Sequence, residues 1–236
     1  MTIKWVINLA DADPSRQTSN IEDLITQGVN AIVARAEDAG AIDASIRAAN
    51  AAGIPFVTFD RASGTVAPTA HVGGDSCDQA LTAAVAFADL LKETGIEGRC
   101  IELQNALKDV NAVNRSKGWT EVDTARPEIS TLVQVPTEWN PELFRSGMAN
   151  ALRAHPEANC AFIAIDFAIT AVQSAPEEVD RWAPTGDPKH FWLATQDLLP
   201  GGGAADGRRL YRRVHHLRRL QALRRTGACG DRNQQE

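Results

Sequence analysis

The sequence predicts an α/β fold with two Rossmann-like lobes, each built on a parallel sheet. Short apolar runs alternate with amphipathic stretches along most of the 236 residues, as in strands linked by crossover helices. The pattern begins afresh near Gly98, which indicates a second lobe. An apolar content of 44% is that of an ordinary globular protein with a buried core.

The first block contains four apolar runs and three helical patterns. We predict strands at 4–10 (KWVINLA), 30–34 (NAIVA), 54–59 (IPFVTF) and 70–74 (AHVGG). Asp13 and Pro14 are typical of a helix start, and Gly28 and Gly53 of helix ends, so we expect helices before each glycine. A third, alanine-rich helix is expected over 76–94.

The second block repeats the alternation from Gly98 onward. Strands are expected at 99–104, 130–135, 160–165 and 191–195, with helices near 112–125, 141–154 and 167–174. We therefore predict an N-terminal lobe over 1–97, a C-terminal lobe over 98–200 and an atypical arginine-rich tail over 201–236.

The charge is distributed unevenly, and the cysteines show no recognisable pattern. Residues 207–236 hold nine arginines against Asp231 and Glu236, so this segment carries +7 and the remainder −13 within a net charge of −6. The four cysteines form no CxxC pair and indicate neither a zinc site nor a disulfide framework. We expect them to be small buried side chains.

No segment of the sequence is predicted to enter a membrane. No apolar run approaches the roughly 20 residues that cross a bilayer. The first residues, MTIKWVINLADAD, lack the basic, apolar and small-residue order of a secretory signal.

Charged side chains follow several predicted strands at the point where each strand ends. These residues are Asp60, Arg61, Asp75, Asp166 and Asp197. Ligands of parallel α/β sheets bind beyond the carboxyl ends of the strands, so these side chains are candidates for ligand contacts. Carboxylates accept pairs of hydrogen bonds from vicinal hydroxyls and a guanidinium donates in a fixed fork, which favours a hydroxyl-rich ligand.

An ordered set of segments resembles the ribose-type periplasmic sugar-binding proteins that feed ABC importers. The segments are DPSRQTSNIEDLITQGVNAIV, AANAAGIPFVTFDR, HVGGD, CIELQ, NRSKGW and ALRAHPEANCAFIAID, within roughly residues 5–200. The resemblance implies the type I periplasmic binding protein fold, whose lobes close on one monosaccharide in an inter-lobe cleft. It also implies a permease partner, a monomer, a periplasmic location, no catalytic residues, no metal and no cofactor.

The resemblance assigns roles to individual residues. Asp60 and Arg61 match the family's sugar-gripping pair, Arg115 its second arginine, Trp139 its stacking aromatic and Asp197 a late carboxylate. Ile165 stands where ribose binders place an asparagine, and Gly74 where they place a serine, so a ligand other than ribose is expected. Asp166 and Asp75 are adjacent and are candidates to serve instead. Trp119 is expected to be a core residue.

Family members begin with a strand, an aromatic-bearing loop and a helix that are absent before KWVINLA in this sequence. In the sheet order 2-1-3-4-5 this strand is central. We therefore expect the strands at 4–10 and 54–59 each to lose a partner, leaving an exposed apolar floor. The sequence thus predicts a chain less stable than its family that binds sugar weakly or not at all.

The tail resembles nothing in the family, and two hypotheses address it. If Arg209 to Leu220 are assigned one GC-rich set of codons, reading the same DNA one base later encodes a different peptide. That peptide resembles the segment that crosses back between the lobes in such binders. We therefore favour a slip of the reading frame between Pro200 and Arg209, which the coding DNA would test. The alternative is a basic helix that binds nucleic acid or an acidic surface, although no groove-reading motif accompanies it.

Three features of the sequence are also found in proteins with other functions. The sugar-sensing core of a LacI-type transcription regulator shares the fold, and an upstream helix-turn-helix in frame would distinguish it. DADPS (11–15) is like the DxD motif of magnesium-dependent phosphatases, but Pro14 favours a helix cap. PGGGAADG (200–207) is glycine-rich yet matches no nucleotide-binding motif, so a loop is expected there.

Overall fold

A computed structural model describes residues 2–197 and Cys229, and its chain forms two compact units. Unit 1 comprises the chain up to Gly74 together with Lys108–Asn111, and unit 2 comprises Asp75–Leu107 and the chain from Ala112 onward. This division differs from the boundary predicted at Glu97 and Gly98. Helix Ser76–Thr94 belongs to unit 2 because its apolar face packs into that unit's core.

Unit 1 is a three-stranded parallel sheet with two helices. Its elements are α1 (Pro14–Thr26), β1 (Ile32–Ala34), α2 (Ala39–Ala51), β2 (Phe56–Phe59) and β3 (Ala70–Val72). The strands lie in the order β1-β2-β3. Asp13 caps α1 by accepting hydrogen bonds from the Ser15 and Arg16 N–H groups, so the helix-cap interpretation of DADPS is confirmed.

The core of unit 1 lies on one face of its sheet. Ile32 and Phe56 from the strands pack with Ile21 of α1 and Ile42 and Ile46 of α2. On the strands' alternate positions, Val33, Phe59 and Val72 are 53%, 44% and 68% exposed. Among the described residues, helices therefore cover one side of the three-stranded sheet, and these apolar side chains are exposed on the other. An exposed apolar floor was predicted from lost strand partners, which is not the cause here because β2 has a neighbour on both sides.

Two expectations about the strands of unit 1 are wrong. Residues 4–10 form no strand, and Trp5, Ile7 and Leu9 are exposed. A strand requires a neighbour to pair its backbone groups, and no described strand runs beside this segment. The strand at 54–59 does not lose a partner, because β2 pairs with β1 on one side and β3 on the other.

Unit 2 is a four-stranded parallel sheet in the order β5-β4-β6-β7. Its elements are α3 (Ser76–Thr94), β4 (Gly98–Gln104), α4 (Val110–Ala125), β5 (Ile129–Pro136), α5 (Pro141–Ala154), β6 (Cys160–Ile163), a 3₁₀ turn (Asp166–Ala168), α6 (Ile169–Glu178) and β7 (Trp192–Thr195). The predicted α/β fold with parallel sheets is thus confirmed in both units.

Helices cover both faces of the unit 2 sheet. α3 and α4 pack on the face that includes Cys100 and Phe162, and α5 and α6 pack on the face that includes Ile101 and Leu103. Trp119 of α4 is fully buried, stacks on Phe162 with ring centroids 4.6 Å apart and donates its indole N–H to Thr131. The prediction that Trp119 is a core residue is confirmed.

Cys77, Cys100 and Cys160 are buried and Cys229 is partly buried, and all four form disulfides, which the sequence did not predict. Cys100 and Cys160 are partners in the register of β4 and β6 and form a disulfide. Cys77, at the start of α3, forms a second disulfide with Cys229. The pairing was not predicted because the partners are 60 and 152 residues apart, a separation that only tertiary contact closes.

The remaining tail predictions lie outside the described residues, including the reading-frame hypothesis, the basic helix and the glycine-rich loop at 200–207. Within the part of the chain that the structure describes, no helix has both the length and the apolar character to span a bilayer.

Candidate ligand-binding site

Most of the predicted site residues follow the carboxyl ends of strands. Asp60 and Arg61 follow β2, Trp139 follows β5, Asp166 follows β6 and Asp197 follows β7. Arg115 projects from α4 in unit 2. The strand-end rule therefore places these residues at the expected edges of their sheets, while their contact with a ligand stays a prediction.

Asp60 is held by two neighbours in unit 1. The Arg35 Nε lies 2.7 Å from Asp60 Oδ2, and the Asn111 Nδ2 donates to Asp60 Oδ1 at 3.2 Å and to the Asp60 carbonyl at 3.1 Å. Asp60 has a φ of 59°, in the left-handed region that costs a non-glycine residue of order 1–3 kcal/mol. These contacts hold the carboxylate in a conformation that the backbone alone disfavours.

Arg61 is buried and makes ionic contacts with two carboxylates of unit 1. Its Nε lies 2.7 Å from Asp109 Oδ2, and its Nη1 lies 3.6 Å from Glu37 Oε2 and donates to the Ala36 carbonyl at 3.2 Å. Burial lowers the pKa of the guanidinium, and the Asp109 charge acts in the opposite direction. Arg61 nevertheless remains a cation at neutral pH because the guanidinium is the most basic of the ordinary side chains.

Three of the predicted residues of unit 2, Arg115, Trp139 and Asp197, form one cluster. The Arg115 guanidinium donates to both carboxylate oxygens of Asp197, at 3.0 and 3.2 Å, and to the Ala164 carbonyl at 2.6 Å. The Arg115 Cζ lies 5.8 Å from the centre of the Trp139 ring. Three residues that are far apart in the sequence thus meet at the strand ends.

A turn after β5 fixes the position of Trp139. Thr137 donates its hydroxyl to the Gln104 carbonyl at 2.6 Å and accepts the Asn140 N–H at its own carbonyl. Asn140 in turn caps helix α5. Trp139 has a φ of 59° and Asp197 a φ of 92°, so both sit in strained backbone conformations of the kind that concentrate at functional sites.

Asp75 and Asp166 have different surroundings from the Arg115 cluster. Asp75 caps helix α3 by accepting the Asp78 N–H at 2.8 Å. Asp166 begins the 3₁₀ turn after β6 and is 1% exposed. A ligand-binding role for either residue stays a prediction.

Sequence reasoning missed three further polar residues at strand ends and two at the start of α4. Arg35 directly follows β1, and Asp109 and Asn111 surround the start of α4. Asn105 follows β4 and Gln196 follows β7, and these two buried amides have no hydrogen-bond partner among the described residues. The strand-end rule that identified Asp60 could also have found Arg35, Asn105 and Gln196.

Charge and metal chemistry limit what these clusters can bind. In unit 1, Arg35 and Arg61 face Glu37, Asp60 and Asp109, and in unit 2 Arg115 faces Asp197. Neither cluster has an excess of positive charge. Among the described residues, no group of three His, Cys, Asp or Glu side chains is arranged to hold a metal ion.

The chain is similar in sequence to a periplasmic binding protein domain and to proteins named for binding sugars or polyols. A family model described as a periplasmic binding protein domain matches residues 2–203. The ribose import binding protein of Bacillus subtilis (strain 168) is 28% identical over 181 residues, which are 75% of this chain and 58% of that protein. The xylitol-binding protein of Mycolicibacterium smegmatis is 30% identical over 137 residues, covering 58% of this chain and 38% of that protein. The chain thus spans little more than half the length of the ribose protein.

Solved structures agree with this fold. The fructose-binding periplasmic domain of a hybrid two-component system has a TM-score of 0.74 at 22% identity and covers 84% of this chain and 63% of its own. A Mycobacterium smegmatis ABC transporter solute-binding protein with bound glycerol has a TM-score of 0.65 at 28% identity, covering 73% of this chain and 59% of its own.

Proposed function

Because the chain belongs to the periplasmic binding protein domain family, we propose that it binds a monosaccharide or related polyol as the substrate-binding component of an ABC importer. The observation that carries the proposal is the convergence of Arg115, Asp197 and Trp139 at the strand ends of unit 2. The names of relatives, which include import binding proteins for ribose and D-apiose, support the ligand class.

The Arg115 cluster has the chemistry that a sugar requires. The Arg115 guanidinium donates to ring and hydroxyl oxygens, and the Asp197 carboxylate accepts from hydroxyls. The indole face of Trp139 offers a flat apolar surface to the C–H side of a sugar ring. The buried side-chain amides of Asn105, after β4, and Gln196, after β7, have no hydrogen-bond partner among the described residues, and we propose that ligand hydroxyls pair with them.

The charge of the clusters favours a neutral ligand. An anionic sugar would need unpaired guanidinium groups, whereas Arg35, Arg61 and Arg115 each contact a carboxylate. Binding a phosphate beside Asp60 and Asp197 would bring like charges together. We therefore propose an uncharged sugar or polyol and no sugar phosphate.

The same proposal covers partners and location. We infer a permease partner, a monomeric binding protein, no enzymatic activity and a periplasmic location, and the match to a periplasmic binding protein domain supports this inference. The two disulfides support the location, because such bonds persist in oxidising compartments and are rare in the reducing cytosol.

Titration calorimetry with D-ribose, D-allose, D-fructose, xylitol and myo-inositol tests the proposal, with ribose 5-phosphate as the anionic comparison. We expect saturable 1:1 binding of at least one neutral compound and none of the phosphate. Arg115→Ala should weaken that binding about 100-fold, because two charge-assisted hydrogen bonds are worth about 3 kcal/mol.

Arg99→Ala is the matched control for this experiment. Arg99 is an exposed arginine near the start of β4, at the opposite end of the strand from the Arg115 cluster. Its replacement should change the affinity less than twofold. Absence of binding to every neutral compound would contradict the proposed function.

A further inference from the structure

We propose that Asp109 and Asn111 are positioning residues that hold Arg61 and Asp60 in the orientation for sugar binding. The inference rests on the proposed function, because it assigns to both residues an effect on affinity through their neighbours. Both lie in Lys108–Asn111, a segment that packs with unit 1 although the chain on either side of it belongs to unit 2.

Asn111 fixes Asp60 at two points. Its side-chain amide donates both to the Asp60 carbonyl and to Asp60 Oδ1. The first contact stabilises the left-handed backbone of Asp60, and the second sets the rotation of its carboxylate. Loss of Asn111 therefore frees a carboxylate whose direction determines which hydroxyls it can reach.

The carboxylate of Asp60 keeps capacity for a ligand after these contacts. It has about four acceptor positions on its two oxygens. The structure records one contact on Oδ1, from Asn111, and one on Oδ2, from Arg35. Two protein donors on different oxygens orient the group while leaving positions that vicinal hydroxyls can occupy.

Asp109 acts on Arg61 in a comparable way. One carboxylate oxygen accepts the Asn111 N–H at 2.9 Å, immediately before helix α4, and the other lies 2.7 Å from Arg61 Nε. The Asp109 side chain is 1% exposed and that of Arg61 is 9% exposed. Because the helix start fixes Asp109, the buried ion pair fixes the plane of the guanidinium fork.

The contacts fall on atoms that control direction. Contacts on Arg61 Nε and Asp60 Oδ1 limit how far each side chain can rotate. Segment Lys108–Asn111 supplies both of these contacts, and Asp60 and Arg61 are neighbours in the sequence. Asp109 also links the two effects, since it holds the backbone of Asn111. For Asn111, whose removal leaves Asp60 still paired with Arg35, a loss of positioning should therefore lower affinity more than it lowers stability.

Asp109→Asn and Asn111→Ala test the proposal by calorimetry with D-ribose and with each other panel compound that the unaltered protein binds. Asp109→Asn keeps an oxygen for the helix cap and removes the charge. We expect Asn111→Ala to weaken binding about tenfold, the equivalent of one lost charge-assisted hydrogen bond, and Asp109→Asn to weaken it by a similar factor through the lost ion pair with Arg61. The melting temperature of Asn111→Ala should stay within about 3 °C of the unaltered protein.

Two matched controls separate positioning from general effects of the substitutions. Asp13→Asn removes a charge at the cap of α1, and Asn20→Ala removes an amide that donates to the Leu9 carbonyl. Both should change the affinity less than twofold. Equal affinity losses in the controls and the test variants, or none in the test variants, would overturn the proposal.

A double-mutant cycle on the sugar affinity distinguishes a positioning role of Asn111 from a purely structural one. In an Asp60→Asn background, Asn111→Ala should weaken binding less than threefold, because its effect passes through the Asp60 carboxylate. Additive losses would show that Asn111 acts by another route, which contradicts the proposal.

A ligand-free measurement keeps this inference distinct from the proposed function. If the unaltered protein binds no panel compound, the proposed function fails, and NMR of the arginine Nε–H groups still decides the positioning of Arg61. We expect an exchange-protected Arg61 signal that Asp13→Asn retains and Asp109→Asn abolishes. An unchanged Arg61 signal in Asp109→Asn would refute the role of Asp109.

Discussion

The two units build the same kind of parallel sheet but cover it differently. In unit 2, helices pack on both faces, through Phe162 on one side and Leu103 on the other. In unit 1, α1 and α2 cover the face of Phe56, while Val33 and Val72 on the alternate positions are exposed. Parallel sheets are normally buried on both faces, so unit 1 departs from the usual arrangement.

The comparison teaches how each unit is stabilised. Unit 2 buries large apolar side chains in two clusters, one of which includes Trp119 and the other Phe144, and both side chains are completely buried. Unit 1 has one smaller cluster and depends more on polar contacts such as those of Asp43 and Arg61. Regions with few buried apolar contacts open more readily, so we expect unit 1 to have the lower local stability.

The largest expected effect concerns the core of unit 2. Trp119→Ala removes a fully buried indole and its hydrogen bond to Thr131, which should cost about 3–5 kcal/mol. In hydrogen exchange followed by mass spectrometry, peptides of β4–β7 should lose protection. Equal loss of protection in β1–β3 would show that the units unfold together and would break the comparison.

A smaller effect on stability is expected from replacing Asp43, a buried carboxylate of unit 1. Asp43 accepts hydrogen bonds from the Gly64 and Thr65 N–H groups and the Thr65 hydroxyl. Burial would raise the pKa of Asp43, but these hydrogen bonds lower it overall. Asp43→Asn should destabilise unit 1 by about 1–3 kcal/mol at neutral pH.

The sign of the pH effect follows from the lowered pKa of Asp43. Its contribution is fully present above the ordinary value of 3.8 and is lost as the pH falls through the folded-state pKa. Thermal melting below pH 4 should therefore show a smaller difference between Asp43→Asn and the unaltered chain than at pH 7. A constant difference would contradict this assignment.

Glu102 in unit 2 should show the opposite dependence. Burial raises the pKa of this carboxyl on β4, although Gln134 donates to it at 2.8 Å. Its favourable contribution is therefore present below the ordinary value of 4.5 and is lost as the pH rises toward the folded-state pKa. Glu102→Gln should raise the melting temperature at pH 7 more than at pH 4, and a lower melting temperature at pH 7 would contradict the prediction.

The smallest effect is expected at the exposed face of unit 1. Val72→Ser removes an apolar side chain that is 68% exposed, so stability should change by less than about 0.5 kcal/mol in chemical denaturation. Val85→Ser, at a 5% exposed position of α3, is the matched change in unit 2 and should cost several times more. Similar costs would mean that Val72 is buried in solution.

Sequence patterns were sufficient for elements whose signals are local. The helices at 76–94 and 141–154 occur with the predicted bounds, because Asp75 and Asn140 cap them and their apolar residues recur at helical spacing. The segment 4–10 has the composition of a strand but is not one. Composition does not report whether a neighbouring strand is present to pair with it.

Only part of the candidate site could be predicted from the sequence. Asp60, Arg61 and Asp197 could be identified because each follows a recognisable strand. The contacts of Asp109 and Asn111 could not, since the two residues lie about 50 positions from Arg61 and Asp60 in the sequence. Nothing local marks a carboxylate that a remote guanidinium will approach.

Local sequence signals are enough to predict the α/β class, most strands and helices, and the charged residues that end the strands, because capping, periodicity and turn chemistry act over a few neighbouring residues. Tertiary structure alone decided the partners: Cys100 with Cys160, Arg115 with Asp197, and helix α3 with unit 2. These choices depend on close packing between distant segments, for which short-range sequence signals carry no information.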